Sequence, residues 1–215
     1  MKHTIILLIG LSIGNISYAE DTIPTIDTIK TWWSNGSNEQ ITIDDRGLLQ
    51  ITLKDHETAY LLDVEIFSRG RNSQDRTVMV RPKLREVKEI EGPVCKDSVV
   101  HDLDHDGISE VETVSLGSGQ GITRGTKSIV QFDGWTPVVL HQAEFKDNEG
   151  EWGIKDNRFY STSVAWEFRD LDGDGNDDLV ETITTKKGRN NKNPITNSRS
   201  YKYVFKNNEF TRPID

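Results

Sequence analysis

Two short stretches gather more negative charge than one turn of backbone normally carries. Asp102 to Glu112 reads DLDHDGISEVE, and Asp170 to Glu181 reads DLDGDGNDDLVE. Aligned on the first aspartate they are D-x-D-x-D-G-x-x-E and D-x-D-x-D-G-x-x-D. Carboxylates at positions 1, 3 and 5 of a tightly curved segment converge on one point. Glycine at position 6 permits the sharp turn that a residue with a β-carbon resists. The first loop offers Asp102, Asp104 and Asp106, the main-chain carbonyl of Ile108, and Glu110 at position 9; the second offers Asp170, Asp172 and Asp174, the carbonyl of Asn176, and Asp178. Neither loop contains a lysine or an arginine. An all-oxygen donor set points to Ca²⁺ rather than zinc or copper, while Mg²⁺ prefers fewer protein ligands and more water. Two Ca²⁺ sites are expected, against the plainer reading of two solvated acidic turns.

The flanks decide what kind of loop this is. The second loop also has Glu181 at position 12, which completes an EF-hand pattern, whereas the first has Thr113 there. An EF-hand needs a helix on each side. Before Asp170, Val164, Trp166 and Phe168 alternate with other residues, and after Asp178 comes LVETITT; the first loop is followed by ISEVETVSL. Period-two alternation and β-branched residues predict strands. Each loop is therefore expected to join two β-strands.

The similarity extends past the ligands. SIVQFDGWTPVVL follows the first loop and YKYVFKNNEFTRPI the second, each a strand, a polar turn, an aromatic residue and a proline. The tract KKGRNNKNPITNSRS (Lys186 to Ser200) reads as a polar insertion in the second copy. This predicts an internal repeat of one supersecondary unit of three or four antiparallel strands.

The loops resemble those of FG-GAP and VCBS repeats, the blades of integrin-type β-propellers and of many secreted bacterial proteins. The resemblance covers roughly residues 95–215. It implies side-chain ligands at positions 1, 3, 5 and 9 and a carbonyl at 7, which are the ten residues named above. The family's Phe-Gly and Gly-Ala-Pro signatures are absent. Residues 22–90 lack an acidic loop but hold strand-like runs, ITIDDRGLLQITL, TAYLLDVEIF and RTVMV, after a segment TIDTIKTWW that can form a short helix or pack as an arm. The expected fold is all-β: antiparallel sheets in a small β-propeller or propeller-like arrangement, one domain over residues 20–215 with a metal-free half at about 22–90.

Composition limits the function. Residues 1–19, MKHTIILLIGLSIGNISYA, combine Lys2, an apolar run and small residues before Glu20, which is the pattern of a cleaved secretory signal peptide. No later stretch approaches the length of an apolar membrane span. The expected location is periplasmic or secreted. The net charge of −9, one unit more negative without Lys2, opposes nucleic acid as a partner. Cys95 is the only cysteine, so no internal disulfide is available and it reads as a small buried residue. Asn35-Gly36-Ser37 matches a glycosylation sequon.

No catalytic constellation is legible. His56, His101, His105 and His141 show no metalloprotease spacing, and His101 and His105, beside the first loop, read as exposed turn residues. LGSGQGITRG (Leu116 to Gly125) lacks the lysine and helix of a phosphate loop and reads as a tight connection. The expectation is a non-enzymatic, calcium-stabilised module that binds a protein or a glycan, a class whose calcium-propeller relatives include inhibitors of lysozyme-like enzymes and immunity proteins. A calcium-dependent hydrolase is the alternative. Gly117 to Gly125 with Arg124, and Trp135, are candidate contacts.

Overall fold

The computed structural model describes residues 23–33, 40–43, 48–67, 74–90, 98–119, 121–148, 159–188 and 193–212. The leader, the sequon and Cys95 lie outside these residues. Chain order begins with helix α1 (Ile26–Trp32) and strands β1 (Gln40–Ile43), β2 (Leu49–Thr52), β3 (Thr58–Phe67), β4 (Gln74–Arg81) and β5 (Glu86–Glu89). Then come β6 (Val99–His101), β7 (Glu110–Gly119), β8 (Ile122–Asp133), β9 (Thr136–Asp147), β10 (Phe159–Arg169), β11 (Asp178–Gly188), β12 (Ile195–Lys206) and β13 (Glu209–Thr211). Among the described residues the protein is all-β with one short helix.

The strands form two antiparallel sheets. In the first the order is β1-β3-β4-β5, and β2 pairs with β3. β1 lies along Val64 to Phe67 and β2 along Thr58 to Leu61, so the two short strands share one edge of β3 in tandem. The second sheet is an eight-stranded meander from β6 to β13 in chain order. Its ends do not pair, so the strands form no closed propeller ring among the described residues. Where β9 meets β10 only two pairs remain, Ser161 with Asp147 and Thr162 with Lys146. The sheet is thus two four-stranded meanders, β6–β9 and β10–β13, joined at one corner. β2–β5 is a further four-stranded meander with the same connectivity.

Alternation along the strands packs these copies face to face. On β3, Tyr60, Leu62 and Val64 point to one side and join Ile29 and Trp33 from the α1 segment. Thr25 caps the helix, its hydroxyl accepting from the Thr28 N–H at 3.2 Å. Ala59 and Leu61 point to the opposite side and meet Val111, Val130 and Phe132 of the second meander. Leu103 and Ile129 of the second meander then meet Leu179 and Phe205 of the third. Full burial of such a side chain stabilises by roughly 1.5–3 kcal/mol. The contacts between copies hold the stack together, since no single meander buries both of its faces alone.

Two segments depart from the sequence reading. Lys186 to Ser200 holds more strand than a polar insertion suggests, since it includes the far ends of β11 and β12, and its extra length lies between Gly188 and Ile195, six residues against two between Gly119 and Ile122. LGSGQGITRG is likewise mostly strand, since β7 runs to Gly119 and β8 begins at Ile122. Both are polar on both faces, so they carry no hydrophobic alternation to read.

Candidate metal centres

Each acidic loop joins the first two strands of its meander. Helices flank neither, which removes the EF-hand reading. The internal hydrogen bonds repeat by position. Gly107 N–H donates to Asp102 Oδ2 at 3.2 Å, and Gly175 N–H to Asp170 Oδ2 at 3.1 Å. Ile108 N–H donates to Asp106 Oδ1 at 2.7 Å, and Asn176 N–H to Asp174 Oδ1 at 3.0 Å. Gly107 and Gly175 have φ of +81° and +93°, where a side chain would be strained. Position 4 is left-handed in both loops too, borne by Gly173 in one and by His105 in the other.

Carboxylate oxygens of Asp102, Asp104 and Asp106 lie within 4.8 Å of one another, as do those of Asp170, Asp172 and Asp178. Each group can hold a metal ion. In the first, Asp104 Oδ1 is buried without a hydrogen-bond partner. Burial, then the charge of Asp106, pushes the Asp104 carboxyl above its ordinary pKa. A buried oxygen of this kind is costly unless something positive meets it. The donor set therefore fits a hard cation.

The position-9 carboxylates are more deeply buried. Glu110 Oε2 accepts from the Leu103 N–H at 2.9 Å and Oε1 from Gln131 Nε2 at 3.0 Å. Desolvation dominates there, raising the Glu110 pKa to about 7 against the lowering effect of those bonds. Asp178 accepts from the Leu171 and Phe205 N–H groups, each at 2.8 Å. Asp178 stands among the converging oxygens of its loop; Glu110 is not in the first converging group, and Asp174 is not in the second. The second loop also meets a cation from outside. Lys206 Nζ on β12 donates to Asp172 Oδ2 at 2.7 Å, which holds the Asp172 carboxyl below its ordinary pKa.

Glu181 faces away from the loop. Its carboxylate lies between the meanders, 3.0 Å from His141 Nε2, and accepts from Trp166 Nε1 at 3.1 Å and Tyr203 Oη at 3.4 Å. His101 is not a turn residue: it sits on β6 against Phe168, with ring centroids 4.6 Å apart. His105 is exposed, as expected.

The first meander has a counterpart of these sites that the sequence reading missed. Its loop, Leu53 to Glu57, is three residues shorter than Leu103 to Glu110. Glu57 opens onto β3 as Glu110 opens β7 and Asp178 opens β11, and it is buried like them. Its partner is the guanidinium of Arg81, which donates through Nε at 3.1 Å and also through Nη2, the latter lying 3.4 Å from Asp55. That hydrogen bond to Glu57 is the main cause raising the Arg81 pKa. Trp135 covers the pair, 5.1 Å below the Arg81 guanidinium, and so belongs to packing between copies rather than to an exposed contact. The signal in the sequence was slight: a leucine, then acidic residues and His56, before a β-rich run.

At the other end of the strands, the Gly117–Gly125 hairpin lines a cavity of 610 Å³ with Phe145, Lys146 and Tyr160. A β-carbon at Gly125 would lie 2.2 Å from Phe145 Cζ, so the ring occupies the space that glycine leaves. Comparison with protein-family models, curated proteins and solved structures found no match to this chain. The functional reading therefore rests on the residues themselves.

Proposed function

We propose that this chain is a calcium-stabilised binding module working outside the cytoplasm, with its meanders acting as propeller-type blades of the FG-GAP/VCBS kind. One observation carries the reading: Asp104 Oδ1, buried and without a partner, beside carboxylate oxygens of Asp102 and Asp106. The donors are all oxygen, which suits Ca²⁺ with its six to eight ligands. In each loop the carbonyl at position 7, from Ile108 or Asn176, would complete the set together with Glu110 or Asp178.

The role assigned to the ion is structural. It replaces the repulsion among the carboxylates by attraction and so fixes the β6–β7 and β10–β11 connections, as Arg81 fixes the β2–β3 connection in the first copy. The partner, a protein or a glycan, then meets a rigid sheet surface. A cell-wall hydrolase inhibitor or an immunity protein against a secreted toxin is the biological role of this type. Affinity capture from a periplasmic extract, with calcium and with chelator, tests the reading. Calcium-dependent recovery of one partner supports it, and identical recovery in both arms contradicts it.

A further inference from the structure

The outer strands of the two calcium-type meanders differ in length. In β6–β9 the outer strand β9 pairs with β8 from Thr123 to Asp133. In β10–β13 the outer strand β13 pairs with β12 only at Val204, Phe205 and Lys206, so residues 195–203 of β12 have no strand on their outer side among the described residues. The backbone shows which groups this leaves open. The Phe205 N–H turns toward β11, where it meets Asp178, and main-chain direction alternates along a strand, so the N–H and C=O groups of Thr196, Ser198 and Ser200 point outward. The side chains from Ile195 to Ser200 are exposed on both faces. An edge that presents unpaired donors and acceptors in a row is a template for another strand.

The charge along this edge selects what can occupy it. Residues 182–188 and 195–203 hold Lys186, Lys187, Arg199 and Lys202 and no carboxylate, in a chain of net charge −9. None of the four cations is ion-paired among the described residues. Cross-strand partners share a face. Arg199 pairs with Ile183 and Lys187 with Ile195 on one face; Lys186 pairs with Thr196 and Lys202 with Val180 on the other. A strand laid along the edge therefore meets cations on both of its faces. On the first face a cavity of 520 Å³, lined by Ile183, Thr185, Lys187, Asn197, Arg199 and Tyr201, gives room for side chains of that strand. Nucleic acids and polysaccharides carry negative charge but no peptide ladder. Only an extended polypeptide supplies donors and acceptors at the spacing of the open edge. We propose that the outer edge of β12 binds an extended acidic segment of another protein by strand addition, its main chain supplying the affinity and its carboxylates the selectivity. This rests on the reading of the chain as a binding module and names its partner.

The test uses the full chain in calcium and a fluorescent, end-blocked peptide of alternating Glu and Thr, about eight residues long to match the open edge, read by anisotropy. The other arms are the alternating Lys and Thr peptide and the acidic peptide with every main-chain nitrogen methylated. On the protein side, Ser198→Pro removes an outward N–H that the β11–β12 ladder does not use, a change that an edge strand tolerates. Expected are binding of the acidic peptide, weakened by more than about twofold between 50 and 200 mM salt, and at least tenfold weaker binding of both control peptides. Ser198→Pro should lose at least tenfold with an unchanged melting temperature, and Arg199→Gln/Lys202→Gln should weaken the acidic peptide while leaving the methylated one unaltered. No binding of the acidic peptide, equal binding of either control, undiminished binding by a folded Ser198→Pro, or dimerisation of the chain through this edge in sedimentation overturns the proposal. Should Ser198→Pro fold poorly, the methylated peptide on the parent chain decides the same point. Calcium uptake measured on the same samples separates the two ideas: uptake without peptide binding removes this proposal only, and absence of uptake removes the scaffold reading.

Discussion

The main-chain N–H of Asp177 donates to the carbonyl oxygen of Leu103 at 2.6 Å, tying the second acidic loop to the first. Ser109, at the same loop position as Asp177, donates likewise to Thr52 at 3.0 Å in the first copy. The three connections are thus linked in series at one end of the stack. One hydrogen bond is worth about 0.5–1.5 kcal/mol net. If both loops take metal, Asp104→Ala should abolish one uptake event and weaken the other by about two- to tenfold. Titration calorimetry of the variant against the parent checks this; a remaining site of unaltered affinity would show that the link carries no coupling.

Glu181 gives a second prediction. Bonded by Trp166 and Tyr203 and adjacent to His141, it is a core polar group and not a ligand. Glu181→Gln should leave metal affinity unchanged within about twofold and cost about 1–3 kcal/mol of stability through the bonds it spoils. Asp178→Asn should weaken the second site strongly. The opposite order of metal affinities would return the loop to EF-hand chemistry.

How much of this was legible in the chain depends on where apolar side chains alternate. β3 and β10 coincide with runs whose alternation is strong, and the two acidic loops announce themselves by spacing. The far ends of β11 and β12 do not, because Thr182 and Thr184 pair with Ser200 and Ser198 through hydroxyls on an exposed face, leaving no apolar period. The first copy escaped notice for a different reason. Arg81 lies 24 residues from Glu57, and only the β3–β4 pairing brings the guanidinium to the carboxylate.

The Arg81–Glu57 pair yields a third prediction. Both side chains are over nine-tenths buried. Removing one partner leaves an uncompensated buried charge, so Arg81→Met should destabilise by about 3–5 kcal/mol, while Arg81→Met with Glu57→Leu should recover much of the loss. Denaturant unfolding of the single and double variants measures it. Additive losses would contradict a coupled pair.

A fourth prediction concerns pH in the metal-free protein. The folded-state pKa of Glu110, about 7, lies above its ordinary value of 4.5. The folded state therefore binds the proton more tightly than the unfolded one. Its contribution is complete below about pH 4.5 and is lost as pH rises through 7, on the order of 3 kcal/mol in all. Bound metal should remove this slope and, below pH 7, release protons on binding. Melting curves from pH 4.5 to 8, with chelator and with calcium, distinguish the two states; a metal-free protein that grows more stable over that range would contradict the assignment.

The central claim is that the two acidic loops are structural calcium sites. Calcium titration of demetallated protein, followed by melting of the loaded and chelated forms, tests it most directly. Two ions per chain are predicted. At free calcium about 100 times the dissociation constant, each site should add roughly 2.7 kcal/mol to the folded state, and magnesium at the same concentration should restore little. Absence of calcium uptake, or a melting temperature unchanged by chelation once metal loss is verified analytically, would contradict the claim.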